Sequence, residues 1–218
     1  MAEPTTFLVV DDHPIFRHGL TALIQSEPRY RVIAEAGSVP EALESLERQV
    51  PTMALVDLSL GGQNGMALLR VLSESYPTVL TLVVSIYDEV VYADRVLKAH
   101  ARGYLMKQAA GAALKEAVRT ILAGKIYVSQ AFRDHVLESF TRPAEESVQS
   151  PISLLTDREF EVLQELGRGY GVAEIASRLN LSHKTIGVYQ DHIKRKLLVE
   201  STSDLRRYAI RWLQSQGT

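Results

Sequence analysis

The sequence predicts an α/β domain built on a five-stranded parallel sheet, joined to a small all-helical domain. Three observations predict it. Short apolar, β-branched runs alternate five times with helix-length amphipathic segments in the first 125 residues. A polar, proline-bounded stretch, TRPAEESVQSP at 141–151, then breaks that rhythm. Beyond it come four short helical segments with very brief connections. Strands that alternate with helices form parallel sheets covered on both faces, because each crossover helix needs an apolar surface to lie on.

The strands are expected at 7–10, 31–35, 53–57, 80–86 and 103–106, and the helices at 15–25, 39–48, 66–75, 89–99 and 111–122. In 39–48, Val39, Leu43 and Leu46 recur at spacings of four and three, which is one helical face. The second strand carries Tyr30, Arg31 and Glu35 around its apolar residues and is expected at an edge; the others are nearly all apolar, as buried parallel strands should be. From Gly124 the pattern loosens into a short amphipathic piece at 131–140 and then the polar stretch, which reads as a linker. Helices are expected again at 157–167, 172–179, 184–197 and 203–213. The domain division is therefore 1–124, a connecting segment with a short helix at 125–150, and 151–218.

Composition narrows the function classes. Of 218 residues, 46% are hydrophobic and 23% charged, which suits an ordinary globular protein. No apolar run approaches about 18 residues and no basic-then-apolar leader opens the chain, so a cytoplasmic protein with no membrane partner is expected. With no cysteine, disulfides and thiolate metal sites are excluded. Residues 1–150 hold 14 Lys and Arg against 18 Asp and Glu, a balance of −4, whereas 151–218 hold 10 against 8, a balance of +2. A mildly basic C-terminal part is compatible with nucleic-acid binding without requiring it.

Candidate chemistry gathers at the carboxyl ends of the strands, where open α/β sheets bind their ligands. The first strand ends in Asp11 and Asp12, the third in Asp57, the fourth in Ser85 and the fifth in Lys107. Each residue alone reads as a turn or strand-end residue; it is their joint placement that points to a site. Three converging carboxylates repel one another and call for a cation, and oxygen donors suit magnesium.

The motifs VVDDHPIFRHGL at 9–20, ALVDLSLGGQNG at 54–65, VVSIYD at 83–88 and GYLMK at 103–107 resemble the receiver domain of two-component response regulators. The resemblance covers residues 7–123 and implies a flavodoxin-like (CheY-like) fold. It implies that Asp57 accepts a phosphoryl group from a sensor histidine kinase. Asp11 and Asp12 would bind Mg²⁺, with Asp57 and the backbone carbonyl of Ser59. Lys107 and Ser85 would contact the phosphate, and Tyr104 would be the aromatic that rotates with Ser85. His13 is not counted among the ligands. The protein would then not be an enzyme in the ordinary sense, catalysing only its own phosphotransfer and dephosphorylation. One departure stands out: the family's Met-Pro-Gly segment after the acceptor is Leu60-Gly61-Gly62 here, which frees the backbone beside the site. Two other classes compete with this reading. A regulator that never accepts phosphate would lack an acid or the lysine; none is missing, and the Gly61-Gly62 loop keeps that class open. An Mg²⁺-dependent phosphohydrolase would need a cap insertion, and the connections are short.

In the C-terminal part, Thr156 followed by Glu159 forms a capping box, and Phe160, Val162, Leu163 and Leu166 supply an apolar face. Gly167 and Gly169 end that helix, Ala173, Ile175, Ala176 and Leu179 mark a second, and Asn180-Leu181-Ser182 turns into a third. The buried face of the third is expected at Ile186, Tyr189 or His192, Ile193 and Leu197. Two short helices joined by a tight turn are a helix-turn-helix. LTDREFEVL at 155–163, EIASRLNLS at 174–182, KTI at 184–186 and IKRKL at 193–197 resemble the LuxR-type helix-turn-helix. With the receiver, this is identified as the NarL/FixJ group. By that resemblance the recognition helix is 184–196. Thr185, Gly187, Val188 and Asp191 would face the groove, and Lys184, Lys194, Arg195 and Lys196 would meet phosphates. Relatives often carry a basic residue at Gly187 and a histidine at Tyr189, and some carry a base-contacting lysine at Asp191. A carboxylate at 191 repels phosphate but can accept from cytosine N4, so a target unlike that of basic-helix relatives is expected. The implied partners are a sensor histidine kinase, double-stranded promoter DNA bound as a homodimer, and RNA polymerase.

Overall fold

The computed structural model describes residues 4–60, 63–141, 151–179 and 181–215. Gly61, Gly62, Asn180 and all of the proline-bounded stretch except its two ends lie outside the described residues. The chain divides into two compact units, Met1–Val136 and Leu137–Thr218.

In the first unit, parallel strands β1 (Thr5–Val10), β2 (Tyr30–Ala36) and β3 (Met53–Val56) are separated by α1 (Pro14–Gln25) and α2 (Val39–Arg48). A two-stranded antiparallel hairpin, β4 (Ser59–Leu60) and β5 (Gln63–Asn64), precedes α3 (Gly65–Ser75). Then come β6 (Leu80–Ser85), α4 (Glu89–Lys98), β7 (Gly103–Met106), α5 (Ala110–Leu122) and the start of α6 (Gln130–Thr141), which runs past the end of this unit. The sheet order is β2-β1-β3-β6-β7, so β2 is an edge strand and its side chains are mostly half-buried, as its mixed composition predicts. The hairpin was not anticipated.

Alternate residues of each central strand face opposite sides of the sheet. Phe7, Val9, Leu55, Leu82 and Val84 form one core with Leu20 and Ile24 of α1 and Leu114, Val118 and Ile121 of α5. Leu8, Val10, Val56 and Val83, on the alternate positions, are buried as well. Each such side chain contributes about 1.5–3 kcal/mol of transfer free energy. Helix starts follow from local capping: Ser38 accepts from the Glu41 amide at α2, and Asp88 accepts from the Val90 amide at α4.

Register positions the site. Val10 pairs with Val56, Val56 with Val83, and Ser85 with Met106. The residues that follow, Asp11, Asp57 and Lys107, therefore leave the sheet at neighbouring points of one edge. The Asp57 amide donates to Val10 O at 2.9 Å, which holds that level.

Residues 125–136, which the sequence assigned to the connecting segment, belong to the first unit. After Gly124 (φ +79°) reverses the chain, Tyr127 forms a parallel bridge with Gly103 on the outer side of β7.

The second unit holds, among the described residues, a 3-10 turn at Pro151–Leu154 and helices α7 (Asp157–Gly167), α8 (Val172–Leu179), α9 (His183–Leu197) and α10 (Thr202–Ser215). The capping box is present: the Thr156 amide donates to Glu159 Oε2 at 2.7 Å, and the Glu159 amide to Thr156 Oγ1 at 3.4 Å. Gly167 does more than end α7. A Cβ there would sit 2.8 Å from Ala209 O, so the glycine lets α10 approach. Phe160 meets Trp212 edge-on at 5.5 Å. Helix α9 ends at Leu198, a left-handed residue (φ +54°) that is 91% exposed.

Candidate functional site

Four strand ends meet in an acidic pocket. Asp11 follows β1, Asp57 follows β3, Ser85 closes β6 and Lys107 follows β7. Asp11 and Asp57 are each 1% exposed. Lys107 Nζ lies 2.7 Å from Asp11 Oδ2 and 2.8 Å from Asp57 Oδ2, with its side chain only 8% exposed. The contact is one of charge: both carboxylate oxygens lack a well-angled hydrogen bond. Below the ammonium, the Phe16 ring lies 4.6 Å away, a cation–π contact that steadies the lysine. Asp57 Oδ1 accepts from the Ser59 amide at 3.1 Å, and Asp11 Oδ1 from the His13 amide at 2.8 Å. The Arg17 guanidinium donates to the carbonyl of Asp11.

Burial sets the electrostatics. It pushes the Asp57 carboxyl above the usual carboxylate range, against the pull of Lys107 and the Ser59 amide. Burial also works against the Lys107 ammonium, but the charge of Asp57 and contacts with Asp11 and Asp57 outweigh it and leave its pKa raised. Lys107 is thus a fixed cation at neutral pH. Yet three carboxylates against one ammonium leave a negative excess.

That excess fits a divalent cation. Ligand atoms of Asp11, Asp12, His13 and Asp57 lie within 4.8 Å of one another. His13 Nδ1 is 2.7 Å from Asp12 Oδ1, so the imidazole is engaged with an acid. The remaining donors are carboxylate oxygens, the set that magnesium prefers over softer metals.

Ser85 is fully buried, and its hydroxyl accepts from the Tyr87 amide at 3.4 Å. Tyr104 is turned inward and fully buried, donating its hydroxyl to Tyr87 O at 2.8 Å. Burial pushes the Tyr104 phenol well above its ordinary pKa, so it stays a neutral donor. The inward rotamer is therefore held by a hydrogen bond to the loop that carries Ser85.

Sequence reasoning missed two supports of this pocket. Gly65 opens α3 with space for no side chain: a Cβ would lie 2.2 Å from Asp57 O and 2.7 Å from Leu58 Cα. Its signal was the last glycine of GGQNG, directly before a helix. Phe16 lies within the motif at 9–20, where its apolar character gives no sign of a role beside the lysine.

In the second unit, Ser182 caps α9 by accepting from the Thr185 amide at 3.0 Å, as its place after the turn predicts. The buried stripe is Ile186, Gln190, Ile193 and Leu197, with Tyr189 and His192 only half-buried. The sequence expected one of those two in the core; spacings of four, three and four select Gln190 instead, overriding its polarity. Lys184, Val188, Asp191 and Arg195 are exposed at the same spacings and share the outer face. Beside them Gly187 has open space around its missing Cβ. Thr185 is half-buried and its hydroxyl is 2.7 Å from Ser182 Oγ. Asp191 pairs with Lys194 at 3.0 Å. Lys196 lies 2.7 Å from Glu159 Oε2 and so braces α9 on α7.

Comparison with known proteins accords with both domains. A family model described as response regulator receiver domain matches residues 7–119, and one described as bacterial regulatory proteins, luxR family, matches 153–209. The oxygen regulatory protein NreC of Staphylococcus haemolyticus is 31% identical over 208 residues, spanning 94% of this chain and 96% of its own. The transcriptional regulatory protein DegU of Brevibacillus brevis is 32% identical over 205 residues, spanning 88% and 87%. Among solved structures, RcsB from Salmonella enterica serovar Typhimurium, bound to promoter rprA in the presence of phosphomimetic BeF3−, aligns with a TM-score of 0.75 at 23% identity. That alignment covers 95% of this chain and 98% of the other, a likeness of fold.

Proposed function

The chain belongs to the response regulators that join a receiver domain to a LuxR-type DNA-binding domain, and on that premise we propose how its residues work. Asp57 is the phosphoryl acceptor. One carboxylate oxygen attacks the phosphorus of a phosphohistidine on a sensor kinase; the new O–P bond forms as the P–N bond breaks, and the imidazole nitrogen leaves with the electron pair. The observation that carries this reading is the buried Asp57 held 2.8 Å from Lys107. Lys107 offsets charge that develops on the transferred oxygens, and Ser85 donates its hydroxyl to one of them.

Asp11, Asp12, Asp57 and the Ser59 carbonyl would hold magnesium, which when bound would offset the negative excess of the acids and the incoming phosphoryl group. An acyl phosphate carries roughly two charges where the carboxylate carried one. Ser85 and the Tyr87 carbonyl then tie that charge to the inward Tyr104, a packing element with two arrangements.

The output lies in 151–218. Lys184, Thr185, Gly187, Val188 and Asp191 meet the major groove, while Arg195 and Lys194 meet phosphates; Lys196 acts through Glu159 instead. A single recognition helix reads few base pairs, so binding is dimeric, on two half-sites of promoter DNA. Residues 1–124 form the receiver, and the protein acts in the cytoplasm, where it reaches RNA polymerase at the promoter. Its only catalysis is its own phosphotransfer and dephosphorylation. No helix among the described residues is long and apolar enough to cross a membrane.

The test is intact mass after incubation with a small phosphodonor and Mg²⁺, beside Asp57→Asn. A single added phosphate on the wild type alone is expected. Equal uptake by both proteins, or none by either when a phosphate mimic also fails to bind, would overturn the assignment.

A further inference from the structure

We propose that residues 126–132 form a strap that carries the state of the phosphoryl pocket to the start of α6, with Glu89 as its positioning residue; this rests on the receiver reading above. Three observations converge on the strap. The Tyr127 amide donates to Arg102 O at 3.0 Å and Tyr127 O accepts from the Tyr104 amide at 2.9 Å, so the strap pairs with the backbone of the buried aromatic itself. Gly103 leaves room for it: a Cβ there would lie 2.7 Å from Tyr127 O. Two residues on, the Ser129 amide donates to Glu89 Oε1 at 2.8 Å, from a glutamate in the first turn of α4 that is 4% exposed.

Ser129 is also where α6 begins. Its hydroxyl accepts from the Phe132 amide at 3.1 Å, its carbonyl from the Arg133 amide at 3.1 Å, and Phe132 is buried. One short segment is thus bonded to the residue that bears the switching ring, to the helix after the Ser85 loop, and to the helix that follows. Tyr104 and Glu89 are linked from the other side too, since the Tyr104 hydroxyl donates to Tyr87 O, two residues before Glu89. A buried glutamate carboxylate on a backbone amide is a directed, charge-assisted bond that is costly to leave unmade. The docked strap therefore belongs to the inward Tyr104 arrangement. By linkage, whatever favours that arrangement favours docking, and docking favours it in return.

Hydrogen exchange on the full chain, with and without beryllofluoride and Mg²⁺, tests this. The amides of Tyr104, Tyr127 and Ser129 are expected to exchange more slowly with the mimic bound. Glu89→Ala is expected to speed exchange across 127–132 by about fivefold, the worth of one net hydrogen bond, and to abolish the response to the mimic while Asp57 still loads. Glu89→Gln keeps an acceptor oxygen and should restore much of the protection, which a purely space-filling role would not require. Gly103→Ala should displace the strap from its other end without touching Glu89. Unchanged exchange in Glu89→Ala, or an unresponsive strap in wild type whose ¹⁹F signal shows bound beryllofluoride, overturns the proposal. Absence of that ¹⁹F signal would instead defeat the acceptor reading and with it the coupling, whereas the Glu89 arm would still decide whether the strap is held as described.

Discussion

The acidic pocket and the outer face of α9 are both charged, but they keep their charges in opposite ways. In the pocket, Asp11 and Asp57 are buried and crowded around one lysine. On α9, Asp191 is 68% exposed and meets Lys194 in a solvated pair. A buried like-charge cluster stores unfavourable energy that a new charge or cation can redirect. An exposed pair stores almost none, because water and salt screen it. The pocket is thus built to switch, and its residues are bound to stability. The α9 face keeps its charges in water, where single changes are expected to leave the fold undisturbed.

Lys107→Ala should break the contrast hardest. It leaves buried acids without their cation and is expected to destabilise the first unit by up to about 3 kcal/mol in a denaturant titration. The sign with pH follows from Asp57, whose pKa is raised in the fold. The native state then holds a proton more tightly than the unfolded chain, so stability is lost as pH rises through the folded pKa. The Lys107→Ala deficit should accordingly be greatest at neutral pH and shrink as pH is lowered; a deficit that grows instead would contradict the burial argument.

Asp57→Asn acts in the opposite sense. It is expected to end phosphate uptake yet to raise stability by on the order of 1 kcal/mol at neutral pH, since it deletes a buried negative charge. A lower melting temperature would count against a repulsive pocket.

Smaller effects are expected in the second unit. Leu198→Gly relieves an exposed, left-handed residue and should stabilise that unit by up to about 1 kcal/mol. Asp191→Ala should leave stability within about 0.5 kcal/mol but tighten binding to random duplex and weaken discrimination at one base pair, read by selection from a random DNA pool. Tighter binding without lost discrimination would show that Asp191 only repels.

Much of this was legible in the sequence. The spans of α2, β7, α7 and α8 agree with the helical and strand patterns read from the chain, because β7 is a short apolar run and the helices have clear apolar faces, with capping residues at the starts of α2 and α7. The edge position of β2 followed from its charged residues. The capping box and Ser182 cap followed from side chains that bond amides two or three residues away. Pocket residues were legible because each directly follows an apolar strand, and parallel strands end together.

Other features depend on partners distant in sequence. Gln190 lies in the α9 core because the helical stripe passes through it, whereas polarity pointed to its neighbours. Lys196 is drawn to Glu159, 37 residues earlier, and lies half-buried beside it. Residues 125–129 read as the start of the connecting segment, yet Tyr127 bridges to Gly103 on the outer edge of β7.

By itself, then, the sequence determined the order of the five sheet strands and the helices between them, the caps of α7 and α9, and which acids and lysine could meet, since periodicity and capping act over a few residues. Only the tertiary structure decided that Tyr104 points inward, that Gly65 and Gly103 must lack side chains, and that Glu89 receives the strap. Those outcomes depend on close approaches between segments far apart in the chain, where a few tenths of an ångström separate a hydrogen bond from a clash.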